Sequence, residues 1–275
     1  LNLFLYYIAV PALIIKFVAQ SEIGQIDTKQ IISYFLMQSI CGIFTFIIAS
    51  KFFNRPVTES IIWALTVALS NHVTLLLPIT QIYFSEEVVT QVTSIILMDG
   101  VILLSLIAFF LELSTKRNVQ LIIFIKNIIL NPMILSILIG VFLFVFNFEI
   151  DDTPIDYTLS TLALCVSPVG LFAIGIILSF HTDNVINKLT ASISILKLLI
   201  SPLVLLLIGY VIFDAGLPQE IPGAFFVSVA PCGVTSIVLC SAYNVNPHNI
   251  IKAIFISTFA SIGTIFFAIK FLSAI

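Results

Sequence analysis

The side chains able to do chemistry in this chain lie far from the ends of the apolar runs that hold them. Ser70-Asn71-His72 sits in the middle of ALSNHVTLLLPITQIYF, with Thr74 close behind and Pro78 after it. Pro231 and Gly233 sit at matching depth in FVSVAPCGVTSIVLCSAYNV, followed by Val234 and Thr235. Gln38, Asp99 and Lys197 each interrupt another apolar run. An amide, an imidazole, a carboxylate and an ammonium can bind ions, carry protons or hydrogen-bond a polar guest. No H-E-x-x-H, Walker A, G-x-S-x-G or zinc-ligand spacing appears, so neither enzymatic chemistry nor a metal or cofactor is expected.

Proline removes an intrahelical hydrogen bond and clashes with the preceding turn. Backbone left unpaired deep in an apolar medium is tolerated only inside protein or beside a cavity. Breaks at Asn71/Pro78 and at Pro231/Gly233 would therefore aim two half-helix N-termini, with their partial positive charge, at one shared spot. The natural ligand is a small anion. Asn71 would hydrogen-bond a carboxylate there, or else join two helices. Thr74 and Thr235 line the site or bond their own backbone. Asp99 costs about 2.5–3.5 kcal/mol at such depth and needs a partner or a cavity. It holds a coupling proton or cation, or makes a structural hydrogen bond. Lys197 attracts the anion, pairs with Asp99, or snorkels to an interface. Gln38 polarises the other side of the site. His72 titrates, or stays neutral and hydrogen-bonded. Pro132 and Pro202 read as plain kinks.

The elements that position these residues follow from composition. Of the 275 residues, 60% are hydrophobic and 9% charged, against the roughly 25% charged of a soluble domain. The chain cannot cover a soluble surface, so its solvent is lipid. Its net charge of −3 gives no footing for nucleic acid. Cys41, Cys165, Cys232 and Cys240 show no C-x-x-C spacing and read as packing residues.

A spanning helix needs about 20 mostly apolar residues. Nine candidates follow, at 1–19, 31–50, 59–84, 90–112, 122–147, 157–180, 190–213, 223–244 and 249–271. Continuous runs exclude barrel strands. Lys51, Arg55, Lys116, Arg117, Lys126, Lys188, Lys197 and Lys252 fall in or beside alternate links, and the other set carries only Lys29. By the positive-inside rule, links 51–58, 113–126, 181–189 and 245–249 are cytoplasmic, Leu1 is cytoplasmic and Ile275 is outside.

Pro11 matches Pro168, Gln38 matches Lys197, Val73-Thr74 matches Val234-Thr235, and Tyr83 falls near Tyr243 at a nearly constant shift. Five helices separate each pair, and an odd number inverts the second copy. The expected units are 1–115 and 116–275, within one transmembrane domain. A partner for span five should precede Leu1, giving ten helices, so the start reads as a truncation.

These motifs resemble the auxin efflux carrier family. APCGVTSIVLCSAYNVNP (230–247) is similar to the family's ninth helix, SNHVTLLLP (70–78) to its fourth, SPVGLFAIGIILS (167–179) to its seventh and NPMILSILIG (131–140) to its sixth. The resemblance implies an all-α polytopic membrane fold of two inverted five-helix repeats with crossed, broken helices. It also implies a midplane site for organic anions, from auxin to dicarboxylates, a cell-membrane location, and frequent homodimers. Ser70 and Leu76 stand where plant members have proline and glycine, which implies a less sharply broken first crossover. The short link at 113–121 points to a compact bacterial-type carrier. The expected function is thus secondary transport of small organic anions by alternating access. A cation-coupled symporter of bile-acid-carrier architecture should show an acidic cluster beside the crossover, and only Asp99 is evident. A membrane receptor that binds without transporting should carry a signalling domain.

Overall fold

In the computed structural model the described residues are 1–20, 27–115, 132–148, 150, 152–179 and 187–273. They form an all-α polytopic membrane protein. After a helical turn at Asn2–Phe4 and a wide π-turn at Leu5–Ala9 comes α1, Val10–Gln20. Then follow α2 (Thr28–Phe52), α3 (Val57–Ala68), a π-turn His72–Leu76 leading into α4 (Leu77–Tyr83), and α5 (Glu86–Met98) joined through a π-turn Asp99–Leu103 to α6 (Leu104–Ser114). The second half holds α7 (Pro132–Val145), α8 (Pro154–Leu164), α9 (Val166–Ser179), α10 (Lys188–Phe213), α11 (Pro222–Ser228), α12 (Thr235–Ala242) and α13 (His248–Ser273).

Every expected span therefore has a helical counterpart. Span five is seen from Pro132. Its start, Lys116, Arg117, Lys126, His181 and the acidic link residue Glu22 lie outside the described residues. Span six is divided at Cys165 into α8 and α9. α2, α10 and α13 are each long and apolar enough to cross a membrane unaided. Large apolar side chains such as Leu207, Val211, Phe259 and Phe266 point outward, as a lipid-facing surface requires.

Contacts sort the helices into two groups. α1 packs on α7 and α8 so closely that a Cβ on Gly140 would fall 2.6 Å from the Val18 Cβ. α2 packs on α3 and α10, α5 on α11, and α10 on α13. Polar contacts sort the helix ends into two sets. At one end Lys16 pairs with Asp156 (3.0 Å), and the Gln91 and Gln30 side-chain oxygens accept from the Gly223 and Ala224 N–H groups (3.2 and 2.9 Å). At the other, Tyr243 donates to Glu112 (3.1 Å) and Asn187 donates to Asn249 (3.0 Å). The two glutamines satisfy the free N–H groups that open the buried helix α11.

Three π-turns share one cause. Leu5–Ala9 precedes Pro11, His72–Leu76 precedes Pro78, and Leu196–Ile200, inside α10, precedes Pro202, each proline coming two residues after its turn. Proline has no N–H to give and its ring crowds the carbonyl four residues back. Widening the turn before it moves that carbonyl clear. Pro202 is thus more than a plain kink, because the turn it forces contains Lys197.

Candidate functional site

The third and eighth spans are both broken. Leu69–Asn71 leave the helix between α3 and the turn that opens α4, and residues 229–234 leave it between α11 and α12. The first break spans three residues and the second six. A sheet-like bridge joins them, antiparallel, at Ser70 and Cys232.

Backbone groups of each break bond to the other broken span, as buried polar groups demand. The Asn71 N–H donates to the Pro231 carbonyl (3.0 Å) and the Gly233 N–H to the Thr66 carbonyl (3.2 Å). Outside the pair, Ser257 Oγ accepts from the Cys232 N–H (3.2 Å) and Thr264 Oγ1 donates to the Val229 carbonyl (2.9 Å). A Cβ on Gly233 would stand 2.5 Å from the Leu69 carbonyl oxygen, so only glycine admits so close a crossing.

A cavity of about 140 Å³ opens beside the crossing. One wall comes from Asn71, His72, Thr74, Asp99, Val234 and Thr235; the facing wall comes from Leu5, Tyr6, Val10 and Ile14, with Ile137 and Gly170. The cavity therefore lies between the two helix groups. Thr74 Oγ1 donates to Asn71 Oδ1, which turns the Asn71 Nδ2 group away with no partner. His72 Nε2 and Asp99 Oδ2 are 2.8 Å apart, leaving His72 Nδ1 and Asp99 Oδ1 also unpartnered. Asn71, His72 and Asp99 are no more than 4% exposed. Such buried, unsatisfied groups cost free energy unless a guest supplies their bonds.

Of the residues singled out in the sequence, Asn71, His72, Thr74, Asp99, Val234 and Thr235 meet at this cavity. Pro78, Pro231 and Gly233 are not in its wall. They act on the backbone, by forcing the π-turn, lending a carbonyl and permitting the crossing. Lys197 is fully buried and neither snorkels nor bonds to Asp99: its Nζ donates to the Val67 carbonyl (2.9 Å) and to Ser70 Oγ (2.7 Å). Gln38 lies elsewhere, its Nε2 3.6 Å from Met98 Sδ, beside a larger apolar cavity of about 560 Å³ between α2, α3 and α6. Tyr34 was not marked by the sequence; its hydroxyl meets at 2.9 Å that of Ser70, which also borders the cavity. Ser70 stood in plain view within the polar triplet.

A family model described as a membrane transport protein matches residues 1–269. No curated protein matches the chain.

Proposed function

The chain belongs to the membrane transport protein family, and from that premise we propose that it is a secondary carrier of small organic anions. The observation that carries this reading is the cavity beside the bridged breaks, where buried Asn71, His72 and Asp99 each keep an unpartnered polar atom. The helical turns starting at His72 and Thr235 open toward it and favour negative charge. The Asn71 side-chain Nδ2 group is free to donate to a carboxylate, and the apolar wall of Leu5, Val10 and Ile14 suits a short carbon skeleton.

The position of the cavity supports alternating access. Its two walls belong to different helix groups, so rocking one group on the other would open it to each side in turn. Residues 1–115 and 116–275 act in this reading as two inverted units, supported by breaks that fall in repeat-related spans and meet at one bridge. The links at 51–58 and 245–249 face the cytoplasm of a plasma or bacterial inner membrane.

The deciding experiment is uptake of labelled malonate, malate, lactate and indole acetate into proteoliposomes, with and without a pH gradient. Saturable uptake of at least one acid is expected. Flat uptake for all of them overturns the reading.

A further inference from the structure

The helix ends that enter the crossing carry the opposite sign from those that leave it. α3 and α11 both run into the crossing with their C-terminal ends, whose last carbonyls have no partner within the helix and concentrate partial negative charge. Those carbonyls are gathered around one point. Lys197 Nζ donates to Val67 of α3 at 2.9 Å and to Ser70 Oγ at 2.7 Å. Ser70 Oγ donates to the Val227 carbonyl of α11 at 3.1 Å, which leaves it to accept from the ammonium and from the Tyr34 hydroxyl. Lys197 and Tyr34 are 0% exposed and Ser70 2%. In carriers with discontinuous helices, half-helix C-terminal ends and unwound carbonyls are where a coupling cation is held.

We propose that the Lys197 ammonium is the resident cation of this crossing, filling the oxygen-lined place between α3 and α11 that a monovalent metal ion such as sodium would otherwise take, so that the protein works without sodium. The distances to Val67 and Ser70 are those of charge-assisted hydrogen bonds. The π-turn before Pro202 brings the side chain to this point from the middle of α10. A tethered charge holds the two half-helices together as a bound ion would. It cannot leave with the cargo, so it stores no gradient. The assignment rests on the carrier reading only for its consequence for coupling.

Its test reads stability, not transport. The purified chain in detergent is melted in sodium chloride and in choline chloride of equal ionic strength. The wild type should melt at the same temperature in both. Lys197→Ser, which empties the site but leaves its oxygens, should melt lower in choline and regain several degrees in sodium. Lys197→Met, which fills the space with apolar atoms, should show no sodium response. Sodium-selective stabilisation of the wild type overturns the proposal, as does a folded Lys197→Ser indifferent to sodium. If Lys197→Ser folds in neither salt, the wild-type comparison decides alone. Because no transport is read, failure here leaves the anion-carrier reading standing, and flat uptake of acids leaves this assignment standing.

Discussion

The backbone N–H of Asn71 donates to the carbonyl of Pro231 at 3.0 Å, and these two residues belong to the two broken spans. The bond ties Asn71, which borders the cavity, to the other half of the chain. A displacement of the second break therefore moves Asn71 directly.

Gly233 is the tightest point of that contact. Gly233→Ala would place a methyl 2.5 Å from the Leu69 carbonyl oxygen, a backbone atom that can yield only if the crossing opens. Overpacking of this kind costs about 1–3 kcal/mol. The variant should melt several degrees lower and lose most carboxylate uptake. Gly175→Ala, with nothing within 4 Å of its new methyl, should leave both unchanged. Equal melting of the two variants would show that the close approach is not a constraint.

Asn71→Ala removes the unpartnered Nδ2 donor while keeping the backbone bond to Pro231. A hydrogen bond to a charged group is worth about 1.5–3 kcal/mol, or roughly a 10- to 150-fold loss of apparent affinity for a carboxylate. Thr74 Oγ1 loses its acceptor, at minor cost. Uptake kinetics should show the higher apparent KM with insertion and melting nearly intact. An unchanged KM would remove Asn71 from the binding surface.

The spans and both breaks were legible because they are local: apolar length, Pro231-x-Gly233, and polar residues at mid-depth. What stayed hidden is long-range. Lys197 reads equally as a ligand, an ion-pair partner or a snorkelling side chain, and its true partners, Val67 and Ser70, lie on another span. Gln30 and Gln91 look like ordinary surface amides until α11 is seen to start between them. Hydropathy cannot separate lipid-facing from protein-facing apolar residues, so the two helix groups were also invisible.

Pro78 does its work through the π-turn His72–Leu76 rather than by touching the cavity. Pro78→Ala restores an N–H donor and removes the ring, so the turn can tighten to an ordinary α-helical one. His72 and Thr74 would then rotate relative to Asp99 and Thr235. Melting should hold or rise slightly while uptake falls. A variant with wild-type uptake would show that the wide turn is not needed to present these side chains.

The sidedness proposed above rests on the basic links. A cysteine at Lys51 should react with a membrane-impermeant maleimide only from the cytoplasmic face, and one at Glu86, beyond the next span, only from outside. Cys41, Cys232 and Cys240 are buried, so half-exposed Cys165 is replaced first to clear the background. Labelling of both positions from one face would abolish the topology drawn from charge, and labelling with the faces exchanged would invert it.

His72 and Asp99 join the turn after the first break to the turn between α5 and α6, at 2.8 Å and almost without exposure. Replacing one by leucine leaves the other buried and orphaned, which costs about 1–3 kcal/mol. Replacing both leaves no orphan. His72→Leu with Asp99→Leu should therefore be less destabilised than the sum of the single variants, by roughly 0.5–3 kcal/mol in a double-mutant cycle. All three variants should lose transport, since each strips the cavity of a polar atom. Strict additivity in the unfolding measurement would mean that the two side chains do not act as a unit, and the cavity would then hold two independent groups instead of one coupled pair.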